Sequence, residues 1–319
     1  MILDHNSLKK YHTFGIEVTA RYFAQISSTD EAIQTIKEAK RLDVPVLVLG
    51  GGSNMLFTRD FDGMIIKPEL RGIDVIDQKA DRITVAAGSG VIWDDFVVWC
   101  VSRGWGGLEN LSHIPGTVGA APVQNIGAYG AEAKDAVVLV EGIYLDTLES
   151  FVFSGTDCSF GYRNSIFKTL LKGRTLITKV FFELQKGNDR SIRSTRQEII
   201  HIRNQKLPDP AKLGNAGSFF KNPMVEMSMA LHIQTEFANM PLYPGEREGY
   251  AKLSAAFLID QAGWKGVRRG NAGVHGNQPL VLVAYEGATG QEVVDLSEEI
   301  QRSVHEKFGV ALEREVNIF

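Results

Sequence analysis

Val44-Pro45-Val46-Leu47-Val48-Leu49 reads as a buried strand, and Gly50-Gly51-Gly52-Ser53-Asn54 closes it. The next residues, Met55-Leu56-Phe57 and then Met64-Ile65-Ile66, are more extended chain rather than a helix. That order constrains the fold more than any other feature. A glycine turn after a strand suggests backbone N–H groups lining an anion site, yet no helix N-terminus can share the work here. No G-x-x-x-x-G-K-[ST] occurs, and no G-x-G-x-x-G opens a helix, so the two familiar phosphate loops are excluded. On local chemistry the turn is either a plain tight turn or an anion cradle.

Around this strand the periodicity predicts mixed α and β structure. Ala32, Ile33, Ile36 and Ala39 are spaced for a helix from Thr29 to Leu42, capped by Ser28 or Thr29. Residues 82–87 read as a strand, and Gly88-Ser89-Gly90 opens a helix from Val91 to Ser102. Strands are expected at 137–145, 150–154 and 175–184, with Asp146-Thr147 as a turn. The polar stretch 186–196 marks the best domain boundary. Beyond it, helices are expected at about 195–204, 226–238, 254–262 and 292–308, with a strand at 279–285. The terminal Val310–Phe319 alternates, putting Glu313, Glu315 and Asn317 on one face, which solvation alone would explain.

At 319 residues, two or three packed units are expected. A net charge of −4 argues against a general nucleic-acid or membrane-surface binder, though not against a local basic pocket. Cys100 and Cys158 alone make no disulfide framework, and no His/Cys/Asp/Glu set has metal-ligand spacing. Met1 to Tyr11 is polar, and no stretch approaches the roughly 20 apolar residues of a membrane span, so a cytoplasmic protein is expected.

Three further runs could carry chemistry. Ile114 to Gly130 is almost uncharged and dense in small residues, suiting either backbone laid against a flat ligand or a buried connection. Arg163 lies among Phe160, Tyr162, Ile166 and Phe167, where an unpaired guanidinium is costly, so it must meet a carboxylate, a phosphate or a ligand anion. Gly214-Asn215-Ala216-Gly217-Ser218-Phe219-Phe220-Lys221-Asn222-Pro223 holds one hydroxyl between permissive glycines and a rigid aromatic tail. It is either a buried turn capped by a serine or a reactive hydroxyl. Ser218 lacks a G-x-S-x-G elbow, which argues against a hydrolase nucleophile.

Taken together these runs resemble the UDP-N-acetylenolpyruvoylglucosamine reductase family of bacterial flavoenzymes. The markers are Thr13-Phe14-Gly15, Gly50 to Asn54, Gly107 to Leu111, Ile114 to Gly130, Gly161-Tyr162-Arg163, Lys206-Leu207-Pro208, Gly214 to Pro223, Leu258 to Gln261, Val274-His275 with Gln278, and the terminal Glu315-Val316. The resemblance spans nearly the whole chain. It implies an α+β fold: a two-lobed FAD-binding domain of the vanillyl-alcohol-oxidase (PCMH) type and a smaller α/β substrate domain. The expected bounds are 1–66 and 67–190 for the two lobes, with the strand 312–319 returning to the second, and 191–311 for the substrate domain. This fold binds FAD without the missing fingerprint.

The resemblance also assigns residues. Gly50, Gly51, Gly52, Ser53 and Asn54 would hold the FAD pyrophosphate, while Ser112, Pro115, Gly116, Thr117, Gly119, Ala120, Ile126, Gly127 and Arg203 would line the cofactor. Tyr129, Lys206, Lys221, Asn222 and Gln278 would contact UDP-N-acetylglucosamine enolpyruvate. NADPH would supply the reducing equivalents and FAD would pass a hydride to C3 of the enolpyruvyl ether. Ser218 would protonate C2, Arg163 would stabilise the charge developing on the carboxylate, and Glu315 would be the terminal catalytic glutamate. The expected partners are these small molecules, with no nucleic acid, no metal and no membrane, acting on a monomer. An FAD oxidase of the same fold on another small molecule, and a non-catalytic flavin or nucleotide-sugar binder, are the alternative readings. The chain departs from the family at His12, where Asn is usual, at Arg314, where Pro is usual, and at Asn317, often Arg. The stretch between Leu184 and Ile202 is also short, and no tyrosine lies between Tyr162 and Tyr243, where one subgroup carries a substrate-covering loop.

Overall fold

The computed structural model describes residues 1–319. They form two compact units, each assembled from separated stretches of chain. The first comprises Met1–Ser7, Thr19–Gly52 and Asp60–Gln205; the second comprises Leu8–Val18, Ser53–Arg59 and Lys206–Phe319.

The first unit carries two sheets. One orders its strands Ile2–Ser7, Thr19–Ile26, Phe61–Pro68, Val46–Val48, the first pair antiparallel and the rest parallel. Helix α1 (Thr29–Arg41) supplies the crossover that a parallel pair needs. Ser28 caps it through Glu31 N, and its buried face, Ala32, Ile36 and Ala39, joins Ile26, Met64 and Ile66 in one core. Ile36 is 1% exposed, and burial of such a side chain contributes about 2–3 kcal/mol. The other sheet is antiparallel, in the order Ser150–Ser154, Val137–Tyr144, Thr175–Lys186, Arg82–Gly88, Ile73–Gln78. Helix α2 (Trp93–Val101) packs Trp93 and Phe96 on Phe182, with ring centroids 6.0 and 4.7 Å away.

Helix α3 (Asp189–Lys206) follows the strand Thr175–Lys186 after only Gly187 and Asn188. The polar stretch 186–196 is therefore mostly helix, and the shortened segment before Ile202 leaves a strand-to-helix turn and no loop. The long glycine-rich stretch 106–130 forms no sustained element, holding instead the short helical turns Glu109–Leu111 and Val118–Ala120 and the tiny strand Gly127–Ala128.

In the second unit an antiparallel sheet runs Gly214–Ser218, Val281–Ala284, Ala272–Val274, Arg268–Arg269. A three-stranded sheet orders Met224–Glu226, Tyr250–Leu253, Leu242–Pro244. Helices α4 (Met227–Glu236), α5 (Ala255–Gln261) and α6 (Gly290–Phe308) complete it. α6 begins in a capping box between Thr289 and Glu292 and stops at Gly309, which takes a φ of +67°. The chain end does not form the long strand its alternation suggests. Only Asn317–Ile318 pairs, in parallel with Met55–Leu56, and Arg314 bridges Phe220.

Candidate active site

In the first unit, two segments nominated separately from sequence meet backbone to backbone. A Cβ on Gly51 would stand 2.6 Å from Gly116 Cα, and one on Gly50 would stand 2.9 Å from Thr117 Oγ1. Only glycine permits that approach. Nearby, a Cβ on Gly119 would fall 2.4 Å from Ser89 Cβ. The Ser89 hydroxyl is buried and has no hydrogen-bond partner within the protein.

The segment from Glu109 to Thr117 is held from α2 and α3. Trp93 Nε1 donates to the Leu111 carbonyl at 2.8 Å, and Trp93 N donates to Gly116 O at 3.1 Å. His113, at a left-handed φ of +60°, donates its N–H to Asp94 Oδ1 at 2.6 Å. Asp94 also takes both arms of the Arg196 guanidinium, at 2.7 and 2.9 Å. Arg203 Nε donates to His113 O at 3.1 Å, so both the N–H and the carbonyl of that residue are engaged. Burial pushes the Arg203 guanidinium down from its ordinary value, with Tyr129 and Asp94 opposing the shift. Ser112 spends its hydroxyl hydrogen on Glu109 O at 2.6 Å.

Arg163 sits at a left-handed φ of +53° and donates from Nη2 to Gly127 O at 2.7 Å. A Cβ on Gly127 would fall 2.8 Å from Arg163 Nη1, so a side chain there would crowd the guanidinium. The turn is knitted by Asn125, fully buried at φ +46°. Its Nδ2 donates to Glu132 Oε2 and to Gly161 O, each at 3.0 Å, while Oδ1 accepts from Lys134 N at 2.9 Å. Tyr129 is 40% exposed, and its carbonyl accepts from Asn110 Nδ2 at 3.0 Å. Asn125, Asp94 and Arg196 were not nominated from the sequence. The first is one amide in a run of Ala, Pro, Val and Ile; the other two lie 102 residues apart and leave no local signature.

In the second unit, Ser218 ends a strand above two fully buried rings, Phe219 and Phe220. The ladder shifts between Asn215 and Ser218: they face Val283 and Val281, so Ala216 and Gly217 oppose Leu282 alone. This is a β-bulge, the device that re-aims a side chain at a strand end. Glu315 N donates to Phe219 O at 2.8 Å, which seats the chain end beside the residue after Ser218. Glu315 is 8% exposed although alternation places it on a solvated face. Asn54 Nδ2 donates to Glu315 O at 3.2 Å, and Asn54 O accepts from both Asn317 N and Asn317 Nδ2 at 3.1 Å.

Two of the remaining nominated side chains of this unit have protein partners. Lys221 pairs with Glu313, and Asn222 Oδ1 accepts from Ala255 N at 3.0 Å, at the start of α5. Gln278 turns the loop back, its carbonyl accepting from Val281 N, while Lys206 is exposed at the end of α3. The three departures are accommodated too. His12 Nε2 lies 3.0 Å from Ile16 O, in edge contact with the Phe57 ring. Burial lowers the His12 pKa and keeps the ring neutral. Arg314 pairs with Glu298 at 3.2 Å, and Asn317 holds the carbonyl of Asn54.

Residues 20–146 match the family model described as an FAD binding domain, and residues 209–319 match the UDP-N-acetylenolpyruvoylglucosamine reductase C-terminal domain. The chain is 44% identical to the UDP-N-acetylenolpyruvoylglucosamine reductase of Flavobacterium johnsoniae, over 99% of both chains. It is 45% identical to that of Pseudomonas putida, over 98% of this chain and 97% of the relative. The chain belongs to the UDP-N-acetylenolpyruvoylglucosamine reductase family. Among solved structures, the family's Thermus caldophilus reductase superposes with a TM-score of 0.73 at 24% identity, over 100% and 98% of the two chains. 6-Hydroxy-D-nicotine oxidase of Arthrobacter nicotinovorans superposes at 0.52 and 12% identity, over 98% and 86%. The expected α+β fold of the PCMH type is therefore the fold observed, with an FAD binding domain matched over residues 20–146. The first unit fits FAD on two features of its own: glycine-only contact between the turn at Gly50–Gly51 and Gly116, and the partnerless Ser89 hydroxyl beside Gly119.

Proposed function

We propose that this chain catalyses the NADPH-dependent reduction of UDP-N-acetylglucosamine enolpyruvate to UDP-N-acetylmuramate, in peptidoglycan precursor synthesis, with FAD as its cofactor. The observation that carries this is identity of 44% and 45%, over essentially the whole chain, to proteins named for that reductase. FAD would be held by Gly50, Gly51, Gly52, Ser53, Asn54 and the segment from Ser112 to Gly127, with Arg203 beside it. Bound FAD would supply the two-electron chemistry that links NADPH to the substrate double bond.

The chain's own residues handle charge and protons. Addition of hydride at C3 drives negative charge through C2 onto the substrate carboxylate. The Arg163 guanidinium offsets that charge. C2 then needs a proton, and Ser218 Oγ donates it. A serine hydroxyl is a weak acid, so the oxyanion it leaves must be stabilised locally. Lys221 and the backbone dipoles of the bulge are suited to that work. Glu315, buried one ladder rung from Ser218, is assigned to the same catalytic set. Tyr129, Lys206, Asn222 and Gln278 would bind the nucleotide sugar, and Lys221 would exchange part of its pairing with Glu313 for substrate. The lobes 1–66 and 67–190, the substrate domain 191–311, a monomeric state and a cytoplasmic location belong to the same proposal.

An anaerobic titration tests it. NADPH is expected to bleach the flavin absorbance, and the enolpyruvyl nucleotide sugar is expected to restore it. Bleaching that no nucleotide sugar reverses would overturn the assignment.

A further inference from the structure

The bulge that carries Ser218 is built on one buried side chain. Asn215 is 4% exposed and lies three residues before the proposed proton donor. Its backbone is fixed first: Asn215 N donates to Thr13 O at 3.1 Å, and the residue faces Val283 in the ladder. The preceding Gly214 has no room for a side chain, because a Cβ there would fall 2.1 Å from Phe14 O. With the backbone held, the amide works in two directions. Oδ1 accepts from Gly217 N at 2.9 Å, giving a partner to an N–H inside the bulge. Nδ2 donates to Leu213 O at 2.8 Å and to Pro208 O at 3.3 Å.

Gly217 takes a φ of +68°, so the backbone reverses its hand one residue before Ser218. A side-chain acceptor on Gly217 N fixes the direction in which Ser218 leaves that turn. The donors on the other end of the amide reach the Lys206-Leu207-Pro208 segment, where a substrate-contacting lysine is proposed. We propose that Asn215 is the positioning residue of the proton donor: its amide sets the bulge that aims Ser218 Oγ and fastens that bulge to the segment carrying Lys206. The inference rests on the reading of Ser218 as the acid, and deepens it. Asn215 itself touches no reacting atom.

The chemistry of the amide makes the role testable by an isosteric change. Asn215→Asp keeps an oxygen for Gly217 N but turns a two-hydrogen donor toward carbonyls into a carboxylate. Buried and facing two carbonyl oxygens, that carboxyl titrates above the ordinary carboxylate range. When protonated it can still donate to one carbonyl; when ionised it repels both.

The experiment compares wild type, Asn215→Ala, Asn215→Asp and Ser218→Ala in stopped flow. Flavin reduction by NADPH and flavin reoxidation by the enolpyruvyl nucleotide sugar are read separately, across pH 5 to 9. For Asn215→Ala, reduction is expected within twofold of wild type and reoxidation slowed about 10²-fold, the scale of losing alignment at a reacting atom. For Asn215→Asp, reoxidation should approach wild type at the acid end and fall as pH rises, a descending limb that wild type lacks. Equal slowing of both half-reactions, or an Asn215→Asp profile parallel to wild type, would show a merely structural amide and overturn the proposal. If Ser218→Ala reoxidises normally, the reading of Ser218 fails instead, whatever Asn215 does.

Discussion

Glu313 and Glu315 stand two positions apart and in opposite environments. The Glu313 side chain is 72% exposed and pairs with the largely buried Lys221. Glu315 is 8% exposed, with its N–H on Phe219 O and its carbonyl on Asn54 Nδ2. Glu315→Gln is therefore expected to cut kcat by about 10²–10³-fold, the cost of losing a preorganised polar group. Glu313→Gln should stay within about threefold, and the reverse ranking would mean that the other carboxylate is the functional one. The two thiols invite a second test. Burial pushes the Cys158 thiol up to about 12 and raises the Cys100 thiol as well. A thiol reagent at pH 8 should label neither in the folded protein and both after unfolding; labelling of the native chain would contradict the packing. These residues also show where sequence reading stops. Period-two alternation puts Glu315 with Glu313 on a wet face. What buries Glu315 is pairing with residues at 54 and 219, and no local pattern encodes that.

At the scale of elements, α3 decides how the segment from Glu109 to Thr117 is held. Its composition hides it: only Ile192 and Ile199 are buried, so its N-terminal turns read as a polar boundary. Asp189 and Arg193 pair at 2.6 Å one turn apart and support the helix where no apolar stripe does. The strand and glycine turn at 46–52, by contrast, were legible, because a buried strand and its closing turn are local. The informative contact is Asp94–Arg196, with side chains 27% and 14% exposed. Burial works against the Asp94 carboxylate, but the Arg196 guanidinium and His113 N–H together hold it below the usual carboxylate range. A depressed pKa adds stability that is fully present above the unfolded value, near 3.9, and is lost as pH falls through the folded value. Asp94→Asn is thus expected to cost about 2 kcal/mol in urea denaturation at pH 7. Near pH 3 the gap between mutant and wild type should shrink, because wild type is losing the same charge. A gap that stays constant with pH would show that the pair contributes packing alone.

For the whole molecule, the proposal gives FAD and the nucleotide sugar different sets of segments. The turn at Gly50, the Gly116–Gly119 backbone and Ser89 are assigned to FAD; Lys206, the Ser218 bulge and the Gln278 loop are assigned to the nucleotide sugar. Hydrogen exchange can read that division directly, because bound ligand slows the local openings that expose backbone amides. FAD added to apoprotein is expected to protect peptides covering 46–54, 85–91 and 109–130. The enolpyruvyl nucleotide sugar, added to the FAD-loaded protein, should extend protection to 203–223 and 274–281. FAD should also raise the apoprotein's stability by about 2.7 kcal/mol at a hundredfold excess over Kd, as mass action requires of a ligand that binds only the folded state. Because the strand at Thr175–Lys186 runs into α3 with two residues between, no additional loop can order over the sugar nucleotide from that position. Protection on substrate binding should therefore be absent from 184–190. New protection there, or FAD protection centred on 214–223 instead of 109–130, would show that the division of labour between the two parts of the chain is drawn in the wrong place.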